Sequence, residues 1–132
     1  MHPTSNYASE QSLYRRLLNI PYIPLWMLRD DALVTMMEKA SEVFVLDDEQ
    51  PLSPTTKAKS ERAFTVTRDT NGVTHSQAER RNAVLAFVAA AKEDLGEEVA
   101  VTVAGPLPEL GGATIFLLLP ETALVRTAVT PA

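Results

Sequence analysis

At 132 residues the chain is long enough for one domain that buries roughly two-thirds of its unfolded surface, and too short for two ordinary ones. Its 45% apolar and 22% charged residues exclude a wholly disordered or fibrous chain. The formal charge of −5, with acidic groups outnumbering basic ones in both halves, argues against a general nucleic-acid binder, which needs clustered lysine and arginine.

With no cysteine there is no disulfide framework, thiolate nucleophile or cysteine-based metal site, and the cytoplasm is favoured. The first residues lack a basic region followed by an apolar run, and no apolar run approaches the ~20 residues that cross a bilayer. A soluble cytoplasmic protein without membrane contact is the expectation.

In chain order, Met1 to Ser5 reads as a loose end, and Leu13, Tyr14, Leu17 and Leu18 recur at helical spacing through about Asn19 with Arg15 and Arg16 facing away. Ile20 to Trp26 alternates proline with large apolar groups, and each proline pushes its predecessor toward extended geometry, which makes a stiff connector. Asp30 or Asp31 can cap a second helix with Leu33, Met36, Met37, Ala40 and Phe44 inside, and a break near Arg29 keeps Trp26 in the connector. Val43 to Leu46 either finishes that helix or starts a short strand. Asp47 to Ser60, rich in charge, proline, serine and threonine, reads as a long mobile loop.

Ala63 to Thr67 alternates like a strand that ends at the turn Asp69-Thr70-Asn71-Gly72. Ser76 and Glu79 form an S-x-x-E capping box, Gly96 is placed to close the same helix, and Val84, Val88, Ala91 and Leu95 define its buried line, flanked by Leu85 and Phe87. Val99 to Val103 alternates again, Gly105 to Gly112 turns the chain, and Ala113 to Leu119 is apolar enough for a central strand that Pro120 stops.

The fold class is therefore α+β: a small three- to four-stranded mixed or antiparallel sheet packed by a long capped helix, with a helical N-terminal region. Ala63 to Leu119 fits a split βαβ unit. The expected organisation is an N-terminal helix and aromatic, proline-rich arm over 1–29, a single core domain over 30–120 with a mobile loop at 47–60, and a C-terminal edge strand (Ala123 to Val129) or tail over 121–132.

Chemistry-bearing patterns are sparse. Gly105 to Gly112 lacks the lysine and hydroxyl residue of a phosphate loop, and Pro51 and Pro54 break the calcium-loop spacing after Asp47-Asp48-Glu49. No nucleophile stands with a base, so no catalytic residue, metal ligand or cofactor is assigned.

Two clusters remain. All three tyrosines and the only tryptophan lie in the first quarter of a chain with 6% aromatics. Tyr14, Tyr22, Trp26 and Met27 either complete the core or form a recognition surface, since Tyr, Trp and Met are enriched at interfaces. His75, Glu79, Arg80 and Arg81 gather at the start of the capped helix, where cationic side chains beside free N–H groups attract anions; the plain alternative is that the arginines lay their stems on the core edge and solvate their heads.

The functional expectation is a non-enzymatic interaction module of the adaptor, inhibitor or chaperone-like kind. It binds a protein partner, or a second copy of itself as a homodimer, through the aromatic arm or a sheet edge. The alternative is a small enzyme or anionic-ligand-binding domain with its site at the helix start.

Overall fold

A computed structural model describes residues 13–46, 51–69, 72–121 and 123. Its organising element is the apolar run Ala113–Leu119, which forms strand β4 and buries Ile115, Phe116, Leu117, Leu118 and Leu119 at 2% exposure or less. Successive strand side chains point to opposite faces, so five buried residues in a row require an apolar layer on each side of the sheet.

On one face Phe116 and Leu118 meet three helices, α2 (Asp30–Lys39), α3 (Pro54–Arg68) and α4 (Gln77–Leu95). On the other, Ile115, Leu117 and Leu119 meet Leu17 of α1 (13–18), Tyr22, Leu46 and Ala123. Among the described residues four strands make one mixed sheet in the order β1-β3-β4-β2: β1 (Ile23–Pro24) is antiparallel to β3 (Ala100–Leu107), β3 is antiparallel to β4, and β2 (Glu42–Val45) runs parallel to β4. The class is α+β, and among the described residues four helices flank the sheet.

Helix α4 is the main packing element. Glu79 N donates to Ser76 Oγ at 3.1 Å and Ser76 N donates to Glu79 Oε1 at 2.8 Å, which completes the capping box. Gly96, at φ +101°, ends the helix in a conformation that favours glycine. Val84, Val88, Ala91 and Leu95 are buried as their spacing predicts, with Phe87 fully buried and Leu85 partly so. The Phe87 and Phe116 rings meet edge to face, centroids 6.0 Å apart at 69°.

Several sequence expectations are corrected. Pro54–Arg68 is a helix, so the loop expected over 47–60 and the strand expected over Ala63 to Thr67 give way to α3 from residue 54 onward; 47–50 lie outside the described residues. Ser53 caps α3 by accepting from Thr56 N at 3.1 Å, and Pro54 sits at its first position, where no N–H is needed.

The buried face of α3 is Thr56, Ser60, Ala63, Val66 and Thr67, so hydroxyls stand where a hydrophobic stripe is sought. They are satisfied locally: Ser60 Oγ donates to Lys57 O at 2.6 Å and Thr67 Oγ1 to Ala63 O at 2.8 Å. The split βαβ unit falls with the missing strand. The turn after it joins two helices instead, with Asp69 in the left-handed region at φ 51° and residues 70–71 undescribed.

Helix α2 begins at Asp30 with Arg29 in the cap position, so Asp30 and Asp31 occupy its first turn, where carboxylates favour the helix dipole, rather than capping it. Val34 replaces Phe44 on its inner face, and Phe44 belongs to β2, 38% exposed. Strand β3 continues to Leu107, and the reversal before β4 is the short turn Pro108–Leu110 closed by Gly111 and Gly112 at φ +67° and +85°. Gly105 has no room for a side chain, because a Cβ there stands 2.7 Å from Thr114 Cα. Of the edge strand expected at Ala123 to Val129, Ala123 is helical and 124–129 lie outside the described residues.

Two substitutions test this packing. Phe87→Ala is expected to lower unfolding stability by about 3–5 kcal/mol, a large part of a typical domain's roughly 5–15, read from urea midpoints. Ser53→Ala is expected to lower it by about 1 kcal/mol through the lost cap of α3; no change would return residues 53–60 to an unstructured loop.

Candidate functional site

The start of α4 carries a dense polar network, and the register of three helices builds it. Arg80 reaches across the end of α3: its guanidinium donates to Asp69 Oδ2 at 2.5 Å, Thr67 O at 3.0 Å, His75 O at 3.3 Å and Glu38 Oε2 of α2 at 3.1 Å. Asp69, held in its left-handed conformation, also accepts from the His75 backbone N–H at 3.1 Å and lies 3.1 Å from the His75 ring Nδ1.

These bonds, the His75 ring first, hold the Asp69 carboxyl below its ordinary range. Glu79 is held low chiefly by the Ser76 backbone N–H within the capping box. Arg81 stands apart, 3.5 Å from exposed Asp31. The cluster thus clasps α2, the α3 terminus and α4 together.

Of the four residues singled out in the sequence, the structure joins His75 and Arg80 through Asp69, assigns Glu79 to the cap and pairs Arg81 with Asp31. Glu79 lines a depression with Lys59, Arg62 and Asn82, and Arg81 a separate one with Arg29, Asp30 and Asp31. An anion at this helix start meets Arg80 already engaged by two carboxylates, and the Glu79 N–H already bonded to Ser76. Asp69 and Glu38, the partners that give the network its meaning, carry no signal in the sequence beyond a turn and a solvated helix face.

The aromatic arm divides. Tyr22 packs against the α1 side of the sheet, and its hydroxyl donates to Leu17 O at 2.7 Å; burial pushes it up to about 12. Tyr14, close enough to interact electrostatically with Tyr22, is exposed.

Trp26 and Met27 lie on the 3-10 turn Leu25–Met27 and are 63% and 59% exposed. That turn is pinned from below. Leu25 is buried in the three-helix face, its N–H donates to Val99 O at 2.9 Å, and Leu28 N–H closes the turn on Leu25 O at 3.1 Å. Pro24 enters it at φ −54°. Ile23, 41% exposed, extends the same apolar surface in sequence.

A third feature has no counterpart in the sequence expectations, which place a loop up to Ser60 and a strand over Ala63 to Thr67 where α3 forms. Between α3 and the edge of β2, which pairs with no strand among the described residues, runs a groove of about 450 Å³, with Val43, Val45, Leu52 and Phe64 as apolar lining and Lys57 and Glu61 on α3. Among the described residues no three histidine or carboxylate side chains gather as metal ligands, and no helix is long and apolar enough to cross a membrane. Asp47-Asp48-Glu49 lie outside the described residues. No protein-family profile, curated protein or solved structure matches the chain.

The Asp69 clasp predicts an acid-side loss of stability. A carboxyl held low in the folded state stabilises fully above its unfolded value of about 4, and the contribution is lost as pH falls through the lower folded value. Asp69→Asn is therefore expected to melt below wild type at neutral pH, with the gap closing under more acidic conditions. A gap of constant size from pH 7 to about 2 would mean that the charged form contributes nothing.

Proposed function

We propose that this chain is a non-enzymatic protein-interaction module that docks on a protein partner through the Trp26–Met27 turn. The observation that carries the reading is a tryptophan 63% exposed on a turn whose neighbour Leu25 is 3% exposed. Leaving an indole in water forgoes the ~1.5–3 kcal/mol that burial of a large apolar side chain returns. Here the buried anchor and the proline hold it in one place, so little conformational freedom is lost on docking.

Tryptophan and methionine are favoured at interface centres, and an anchor of this kind typically accounts for 2 kcal/mol or more of binding. The clasp at the α4 start supports this reading indirectly, because its charges serve the fold. A second copy of the chain is one partner such a surface accepts, in a homodimer.

Trp26 is the only tryptophan, which gives a direct readout. Native fluorescence is expected to resemble water-exposed indole and to shift to the blue when partner is added. A photo-crosslinker at position 26 identifies the partner, and the purified pair is then titrated. Trp26→Ala with Met27→Ala is expected to weaken that complex about thirtyfold or more while moving the folding stability by about 0.5 kcal/mol. A loss of several kcal/mol of stability without a binding defect would make the turn part of the core and end the proposal.

A further inference from the structure

The edge of β2 opposite β4 is free of any strand among the described residues. Val45 is in register with Leu118, and Leu46 N–H donates to Leu118 O at 2.9 Å. In a parallel ladder this alternation turns the backbone groups of Phe44 and Leu46 toward β4 and those of Val43 and Val45 toward the open edge. Two N–H and two C=O groups therefore face outward, in the pattern that an added strand satisfies.

Beside them the Val43 and Val45 side chains, with Leu52 and Phe64, give the adjoining groove an apolar wall. Its 450 Å³ is the size of a site for a few side chains. An edge strand flanked by a helix groove supports β-strand addition, in which backbone bonds provide affinity and pockets for alternate side chains provide selectivity.

Charge along the groove is ordered. Ser53 N–H at the start of α3 bonds Asp94 near the end of α4, and α4 leads into β3 where Ala100 lies opposite Leu119, at the Val45 end of β2. Helix α3 thus runs antiparallel to β2. Lys57 lies toward the Val45 end and Glu61 one turn nearer to Glu42. None of these three charges makes an ion pair among the described residues.

We propose that β2 and this groove bind an extended segment of a partner protein, added antiparallel to β2. That segment has alternating aliphatic side chains, an acidic residue at its N-terminal end facing Lys57 and a basic residue at its C-terminal end facing Glu42 and Glu61. The antiparallel sense is the more stable pairing per residue. The inference rests on the reading of the chain as a protein-interaction module but uses a surface separate from Trp26.

The probe is a fluorescein-labelled heptapeptide alternating valine and threonine, with aspartate first and lysine last, followed by fluorescence anisotropy. Its charge-reversed counterpart, lysine first and aspartate last, is the control. The first peptide is expected to bind at least about tenfold more tightly.

Val43→Pro removes an outward N–H that makes no ladder bond, a change edge strands tolerate, and is expected to abolish binding with the thermal melt retained. Lys57→Glu with Glu61→Lys is expected to invert the preference between the two peptides. Trp26→Ala with Met27→Ala is expected to leave peptide binding unchanged. The proposal is overturned by no binding at about 1 mM, by equal binding of both peptides before and after the charge swap, or by full binding to a folded Val43→Pro. Peptide binding lost with Trp26 and kept in Val43→Pro overturns it while leaving the module reading in place. A dimer in sedimentation that Val43→Pro dissolves makes the occupant a second copy and overturns it as well.

Discussion

Burial of β4 on both faces is the constraint from which the remainder follows. A strand with Ile115, Phe116, Leu117, Leu118 and Leu119 all removed from water needs a neighbour along each edge and a cover on each face. Strands β3 and β2 supply the edges. The three-helix layer covers Phe116 and Leu118, and α1 with Tyr22, Leu46 and Ala123 covers the other side. Helix α4, long and capped at both ends, brings Val84, Phe87, Val88, Ala91 and Leu95 to that cover, and its Phe87 ring meets Phe116 of β4 edge to face. The Arg80 clasp then fixes α2 and the end of α3 against its first turn.

Among the described residues the sheet has four strands and two open edges, and both are short. At one, β1 contributes two residues including Pro24, which ends the pairing and directs the chain into the turn that exposes Trp26. At the other, β2 contributes four residues with Glu42 exposed at its start. Short strands, a proline and a charge are the usual means by which sheets avoid indiscriminate pairing. The same two places carry the exposed aromatic and the groove, so the candidate recognition surfaces lie where the sheet stops, the second of them shared with α3.

Much of the core was legible in the sequence because its signals are local. Ser76 and Glu79 announce the start of α4, Gly96 its end, and Val84, Val88, Ala91 and Leu95 its inner line; the apolar run to Leu119 announces a central strand. Helix α3 was not legible, since Thr56, Ser60 and Thr67 bury hydroxyls that find partners, Ser60 and Thr67 on the helix backbone and Thr56 on Ser53 Oγ at 3.0 Å, and hydropathy registers them as surface. Ala63 to Thr67 has strand composition but helical burial, an instance of tertiary packing overriding local preference.

At the candidate sites the aromatic arm was visible as composition. Whether Trp26 is core or surface depends on Leu25 entering the three-helix face, a tertiary fact. The groove beside β2 depends on α3 and was invisible for the same reason as the helix.

Native-state hydrogen exchange measures the central claim residue by residue. Amides of Phe116, Leu117 and Leu118 are expected to exchange only through global unfolding, at the free energy given by urea denaturation, while the outward amides of Val43 and Val45 exchange orders of magnitude faster. Exchange of the β4 amides through local openings well below the global free energy, or protection of Val43 and Val45 equal to that of β4, would contradict a sheet organised around a doubly buried strand with a free edge.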